Sequence, residues 1–223
     1  MSDSKKVIIF GTTQFAQIVY YYLTHDSPYE VVGFTVNKEF MTQEKLFKLP
    51  VFPFENIESY FSPSDYSMFV AVGYMNVNKT RAKIYNEAKN KGYKLISYVN
   101  SKSTTWNDLD IGDNCFIFEN NVIQPFTKIG NNVILWSGNH IGHHNIIQDH
   151  CFFASHVVVS GNVTIGPYCF LGVNSTIRDG ITIGSECVIG AGSLILENTT
   201  SQQVFTSEKA KLLPVKSNDL NHF

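Results

Sequence analysis

From Ile111 to Ile195 every sixth residue is a bulky apolar one: Ile111, Ile117, Ile123, Ile129, Leu135, Ile141, Ile147, Phe153, Val159, Ile165, Leu171, Ile177, Ile183, Ile189 and Ile195. Glycine follows the anchor at 112, 130, 142, 166, 172, 184 and 190, and a small or branched residue such as Cys115, Thr127, Val133, Ser175 or Ser193 comes four positions after it. A period of six fits neither an amphipathic helix nor a half-buried strand. Six residues make one short strand and a corner, and three such units make a triangular coil of 18. The repeat therefore predicts a parallel β-helix whose anchors point inward and stack into a continuous apolar core. Its nearly five coils, at about 4.8 Å per rung, give a prism roughly 24 Å tall. The four cysteines fit the same coil. Cys115, Cys151, Cys169 and Cys187 differ by multiples of 18, which places them in one inward column with Val133 on the vacant rung.

Charge divides the chain at the edge of the repeat. Residues 1–102 hold 12 basic and 9 acidic residues; residues 103–208 hold only Lys128 and Arg178 against nine acids; the last 15 residues return to a net +2. Ten of the eleven tyrosines precede residue 100, and five of the seven histidines fall between His140 and His156. This segregation predicts two domains, 1–102 and 103–200, and a tail, 201–223. The overall charge of −2 gives no general attraction to nucleic acid or anionic membrane. The longest apolar runs are far short of the roughly 20 residues that cross a bilayer, and Met1-Ser2-Asp3-Ser4-Lys5-Lys6 lacks the apolar core of a secretory leader. The expectation is a cytoplasmic protein with reduced thiols.

Before the repeat, strands alternate with helices. Val7-Ile8-Ile9-Phe10 is a buried-strand run stopped by Gly11. Residues 14–23 carry Phe15, Ile18, Val19 and Tyr22 at helical spacing. Residues 29–36, 68–72 and 93–98 read as strands, and Asn78 is placed to cap a helix that ends before Gly92. The pattern predicts a small parallel sheet with crossover helices, whose ligands sit at the carboxyl ends of the strands. The turn Gly11-Thr12-Thr13-Gln14-Phe15-Ala16 stands where a dinucleotide fingerprint would be, but only its first glycine remains, and the second strand ends at Asn37 rather than an acid. A catalytic nicotinamide site is disfavoured. Binding of another nucleotide and a plain connecting turn both stay open.

Among the histidines, His144, His150 and His156 are six apart, so they stand on different sides of one coil and cannot share a metal. No metal site is expected. His143 differs, because one coil further on lies Gly161, which has no side chain to cover it. An imidazole beside an open notch with nearby backbone N–H groups suits a general base with an oxyanion donor; a solvated surface histidine is the plainer alternative.

The uninterrupted repeat, with Asn139-His140-Ile141-Gly142-His143-His144 and then Ser160-Gly161-Asn162-Val163-Thr164-Ile165-Gly166, resembles the left-handed β-helix acyltransferases. With its small α/β segment, the chain is most similar to the sugar-nucleotide N-acetyltransferases of bacterial glycan and O-antigen synthesis, and to sialic acid O-acetyltransferases of like layout. The resemblance implies a Rossmann-like N-terminal domain for a UDP-, dTDP- or GDP-linked amino-deoxy sugar, and a homotrimer with acetyl-CoA between neighbouring prisms. His143 would then be the base that accepts a proton as the sugar amine attacks the thioester, and the Gly161 N–H would meet the thioester oxygen. Gly172, Val173 and Ala191 would line the pantetheine groove. Gly11, Thr12, Thr13, Asn37 and Gly73 would contact the nucleotide, and Trp136 and Asn139 the sugar.

The sequence departs from that family in places. Where an acid commonly follows the catalytic histidine, this chain has His144, with Asp149 a further candidate to orient the imidazole. The closing Val-x-x-Gly-x-Pro-Ala pattern appears as Val204-Phe205-Thr206-Ser207-Glu208-Lys209-Ala210. In the acidic prism the nearest basic cluster is in the tail, so Lys209, Lys211 and Lys216 are candidates for the CoA phosphates, or a solvated tail. The competing functions are O-acetylation of a sugar hydroxyl, which demands more of the base, and a non-catalytic nucleotide-binding scaffold.

Overall fold

In a computed structural model that describes residues 5–219, the hexapeptide anchors from Ile117 to Ile195 are buried inside a three-faced prism, with Ile111 half-covered at its end. Residues 1–4, read above as lacking a leader, and 220–223 lie outside the described residues. Each face is a ladder of parallel two-residue strands. The first face runs through Asp110–Ile111, Lys128–Ile129, Ile146–Ile147, Thr164–Ile165 and Thr182–Ile183; the second through Phe116–Ile117, Ile134–Leu135, Phe152–Phe153, Phe170–Leu171 and Val188–Ile189; the third through Val122–Ile123, His140–Ile141, Val158–Val159, Thr176–Ile177 and Leu194–Ile195. Partners in each ladder are 18 residues apart, as with Ile134 and Phe152. The second residue of each pair points in; the first points out.

The corners explain a regularity that the anchors do not. Every sixth residue from Asn114 to Gly192 has positive φ, fourteen corners in succession. Left-handed backbone strains most side chains but suits glycine and, less well, asparagine and histidine. Asn114, Asn120, Asn132, Asn162 and Asn174 and Gly138, Gly180 and Gly192 occupy such corners, and so do His144, His150 and His156. The six-residue spacing of those histidines is thus a property of the corners. The cysteine column forms as expected: all four are free and buried, and Val133 is fully buried with them. Their thiols donate onward along the prism, Cys115 Sγ to Gly130 O (3.1 Å), Cys151 to Gly166 O (3.2 Å) and Cys169 to Gly184 O (3.0 Å).

The N-terminal domain is a five-stranded sheet in the order β3-β4-β2-β1-β5. β1 (Lys6–Phe10), β2 (Glu30–Val36), β4 (Leu49–Pro53) and β5 (Ser67–Val70) are parallel, and β3 (Lys45–Leu46) adds a short antiparallel edge. Helices α1 (Gln14–His25) and α2 (Lys79–Asn90) flank it. Three expectations need correction. Residues 93–98 do not form one more strand of this sheet: Leu95 makes a single bridge to Met68, and Tyr98–Val99 pairs with Phe116–Ile117 as the first rung of the prism's second face. At the far end Val204–Phe205 pairs with Val188–Ile189. The prism therefore spans 98–205 and overruns both boundaries read from composition. Lastly, Asn78 does not cap α2 with its side chain. Its Nδ2 donates to the Tyr168 and Cys169 carbonyls (2.9 and 3.1 Å), so it ties the helix to the prism.

The two domains share one core. The outward side chains of the second face, Phe116, Ile134 and Phe152, together with Phe118, pack with Val19, Leu23 and Phe69. This removes one prism face from water and fixes how the sheet's carboxyl edge sits over the repeats.

Candidate active site

His143 stands at the corner between the third and first faces, in the turn 142–145. Its backbone N–H donates to Gln124 Oε1 (3.0 Å), and its ring lies against Gly161. A methyl group at Gly161 would fall 2.6 Å from His143 Cε1 and 2.7 Å from Nε2, so only glycine leaves room for the imidazole. The Gly161 N–H finds no acceptor among the described residues, while its carbonyl accepts from Gly180 N (3.0 Å). The imidazole's Nε2 edge and an uncommitted amide thus share one notch.

His144 meets His143 ring to ring, Nδ1 to Nδ1 at 3.1 Å. One ring must donate. When His143 supplies the proton, its Nε2 keeps a free lone pair over Gly161, and His144 Nδ1 accepts. In that tautomer the His143 Nε2 lone pair is available and His144 holds the ring through Nδ1. Asp149 has no part in this. It stands at the following corner, where its carboxylate accepts from Asn131 N (2.7 Å), and the expectation that it orients His143 is withdrawn.

The carboxyl edge of the sheet gathers the residues expected to contact a nucleotide. Gly11 ends β1 with φ +117° and its N–H bonded to Thr35 O (2.7 Å); a side chain there would strike the Ala71 carbonyl. Thr13 opens α1 without a side-chain cap bond, leaving its hydroxyl uncommitted. Asn37 follows β2 with its Oδ1 buried and unpaired among the described residues, and open space lies above Gly73, beyond β5. Thr12 stands between Gly11 and Thr13 at the same edge. Buried amide oxygens are seldom left without a donor, so Asn37 points to a ligand group.

Next to this edge an apolar cavity of about 360 Å³ is lined by Tyr74, Trp136, Phe152, Phe170, Gly172, Val173 and Ala191, among others. The expected sugar contact Trp136 and all three expected pantetheine residues therefore border one cavity, at the corner between the second and third faces. Tyr74, which the sequence did not single out, roofs it, 5.0 Å from the Phe152 ring and 4.9 Å from the Phe170 ring. Asn139 is not among these residues. It is 1% exposed, and its amide is saturated inside the prism by Asn121 Oδ1, the Trp136 carbonyl and Val157 N; it cannot reach a sugar. Lys209 and Lys211 are exposed on the tail.

Within one chain His143 and the Tyr74–Val173 cavity occupy neighbouring corners, separated by the width of the third face. No group of His, Cys, Asp or Glu among the described residues could hold a metal ion, and no described helix is long and apolar enough to cross a membrane.

Comparison with known proteins agrees with this architecture. Residues 6–88 match the PglD N-terminal domain, residues 110–143 the bacterial transferase hexapeptide (six repeats), and residues 162–197 the hexapeptide repeat of succinyl-transferase. No curated protein sequence matches. Among solved structures, the acetyltransferase domain of PglB from Neisseria gonorrhoeae in complex with acetyl coenzyme A superposes with a TM-score of 0.82 at 22% identity, covering 94% of this chain and 100% of that one. A mutant of perosamine N-acetyltransferase from Caulobacter crescentus, with CoA and GDP-perosamine, gives 0.79 at 20% identity over 89% and 92%. WeeI from Acinetobacter baumannii gives 0.79 at 16% over 93% and 99%. The chain thus joins an N-terminal parallel-sheet domain that matches the PglD N-terminal domain to a parallel β-helix built from hexapeptide repeats.

Proposed function

We propose that this protein is an acetyl-CoA-dependent N-acetyltransferase acting on the amino group of a nucleotide-linked amino-deoxy sugar in bacterial glycan synthesis. The observation that carries the reading is the His143 imidazole seated on Gly161, with Nδ1 engaged by His144. The PglB domain and the perosamine enzyme, solved with acetyl-CoA and with CoA plus GDP-perosamine, support the choice of donor and acceptor.

In this mechanism His143 Nε2 takes the proton of the attacking amine, and the imidazolium shares its Nδ1–H with His144. The Gly161 N–H stabilises the oxygen of the tetrahedral adduct. When the C–S bond breaks, His143 returns the proton to the leaving thiolate, so the base is regenerated. The nucleotide lies along Gly11, Thr12, Thr13, Asn37 and Gly73, the pantetheine arm along Gly172, Val173 and Ala191, and Lys209 and Lys211 meet the CoA phosphates. Because His143 and that cavity sit on neighbouring corners of one prism, the working site takes them from two subunits of a homotrimer in the cytoplasm.

Removing the general base by His143→Asn should lower kcat by about 10²–10⁴-fold while KM for both substrates stays within a few-fold. Steady-state thioester consumption with a panel of amino-sugar nucleotides measures this. Undiminished turnover by the variant, or none by the native protein with any acceptor, defeats the reading.

A further inference from the structure

One cavity lies outside the residues assigned so far. About 220 Å³ in volume, it opens on the same prism corner as His143, one coil nearer the N-terminal end, between the loop carrying Trp106, Asp108 and Asp110 and the turn carrying Gln124, Phe126 and Lys128. Two of its lining residues touch the histidine pair. Gln124 accepts the His143 N–H, and the Phe126 ring is 4.7 Å from that of His144. Trp106 is 60% and Phe126 71% exposed. Phe126 also occupies a left-handed corner, φ +66°, where the neighbouring corners upstream hold Asn114 and Asn120. Phe126 is one of three corners in the series, with Tyr168 and Glu186, that hold neither asparagine, glycine nor histidine, and the one whose ring is set against the histidine pair; bulky side chains in left-handed backbone gather at functional sites.

The direction matters. Gly161 lies on one side of His143, toward the later coils that carry Gly172, Val173 and Ala191. The Trp106–Phe126 cavity lies on the other side. A donor thioester reaching the notch along the later coils leaves this side for the group that attacks it. The cavity is too small for a nucleotide and sized for one ring. Its chemistry is that of a cationic sugar: two aromatic faces for the C–H surface and the ammonium, and an acidic rim of Asp108 and Asp110, the latter 3.8 Å from Lys128.

We propose that the Trp106–Phe126 cavity is the subsite for the amine-bearing ring of the acceptor, which docks as an ammonium, releases one proton to solvent to become the free amine, and gives a second to His143 as it attacks the thioester. This rests on the acetyltransferase reading and adds acceptor-specific residues that the notch itself does not supply.

Kinetics with acetyl-CoA and GDP-perosamine as the acceptor probe, on the full chain, test it. Phe126→Ala and Trp106→Ala should each raise KM for the acceptor about tenfold or more and leave KM for acetyl-CoA within twofold; both residues are exposed, so folding is not at stake. An unchanged acceptor KM, a rise in acetyl-CoA KM instead, or a change in oligomeric mass overturns the proposal. A second arm needs no turnover. Trp106 emission, read in Trp136→Phe, should be quenched by a free amino sugar and not by its neutral N-acetylated counterpart. Equal responses, or none, reject the subsite. Failure of the transferase reading is separate, for it shows as native protein that consumes no acetyl-CoA with any acceptor.

Discussion

At the scale of single residues, the candidate site depends on what Gly161 lacks. Gly161→Ala keeps an ordinary backbone but puts a methyl group against Cε1 and Nε2 of His143. The exposed ring can swing away at little cost, so the fold survives while the base leaves its notch. We expect kcat to fall about 10²-fold, as for an ångström-scale misplacement, with Tm nearly unchanged; full activity in the alanine variant would show that the ring's seat is irrelevant. The pairing of His143 with Gly161 was legible in the sequence because a coil of 18 maps residue onto residue. Which way a corner side chain turns is not written in the period. Asn139 looked available to a sugar and is instead consumed by the prism's internal amides, and Asp149 serves Asn131. The missed residues did leave a trace. Phe126, with Tyr168 and Glu186, breaks a series of corners otherwise made of asparagine, glycine and histidine, but the signal is visible only once those corners are known to be left-handed.

At the scale of the element, the corner series joins stability to pH. Asn114, Asn132 and His150 stack at the corner between the first and second faces: Asn114 Nδ2 donates to Asn132 Oδ1 (2.8 Å), and the Asn132 amide meets His150 Nδ1 (2.9 Å). Asn132 Oδ1 also accepts from Arg81 Nε, so Asn132 Nδ2 is the donor to His150, whose Nδ1 must be unprotonated. Burial, chiefly, holds His150 below the ordinary imidazole value, and the Arg81 cation acts the same way against Asp149 and Asp113. The folded state therefore favours neutral His150. Its contribution is present above the unfolded value of about 6.5 and is lost as pH falls from there toward the lower folded value. His150→Asn, which suits the left-handed corner, should flatten that part of the profile; urea midpoints at pH 7.5 and 5 would show it, and an identical slope in the variant would assign the acid sensitivity elsewhere. The strands and the repeat were legible from apolar spacing. The extra rungs at Tyr98–Val99 and Val204–Phe205 were not, because two-residue strands outside the run of anchors have no periodicity of their own.

At the scale of the molecule, Arg81 binds the two domains together. It is fully buried on α2 and donates to the Gly73 carbonyl (2.9 Å), Asn78 Oδ1 (3.0 Å), Asn132 Oδ1 (3.2 Å) and the carbonyls of Asn132, His150 and Cys151 (3.3, 2.9 and 3.1 Å). Burial draws its pKa down to about 10, still high enough to keep the charge at neutral pH. Arg81→Met would leave several buried acceptors without donors, a loss of about 3 kcal/mol or more, or roughly 6–12 °C in Tm for a chain of this size. It should also raise KM for the acceptor, since this side chain holds the Gly73 carbonyl at the sheet's carboxyl edge. Calorimetry that shows no shift would mean the shared apolar core alone holds the domains. A composition-based boundary could not reveal this coupling, because the residues that carry it are single polar side chains inside an apolar seam. The 18-residue coil has a further consequence, for the phase of the molecule. Losing one hexapeptide between residue 118 and His143 would leave every later anchor facing inward, yet would turn the histidine, and Phe152 with it, a third of a revolution about the prism axis relative to the sheet. Insertions and deletions within the prism therefore leave both the histidine and the seam with the sheet in place only in steps of three hexapeptides; any other step keeps the prism's own core but turns Phe152 and the carbonyls that Arg81 and Asn78 hold away from the sheet.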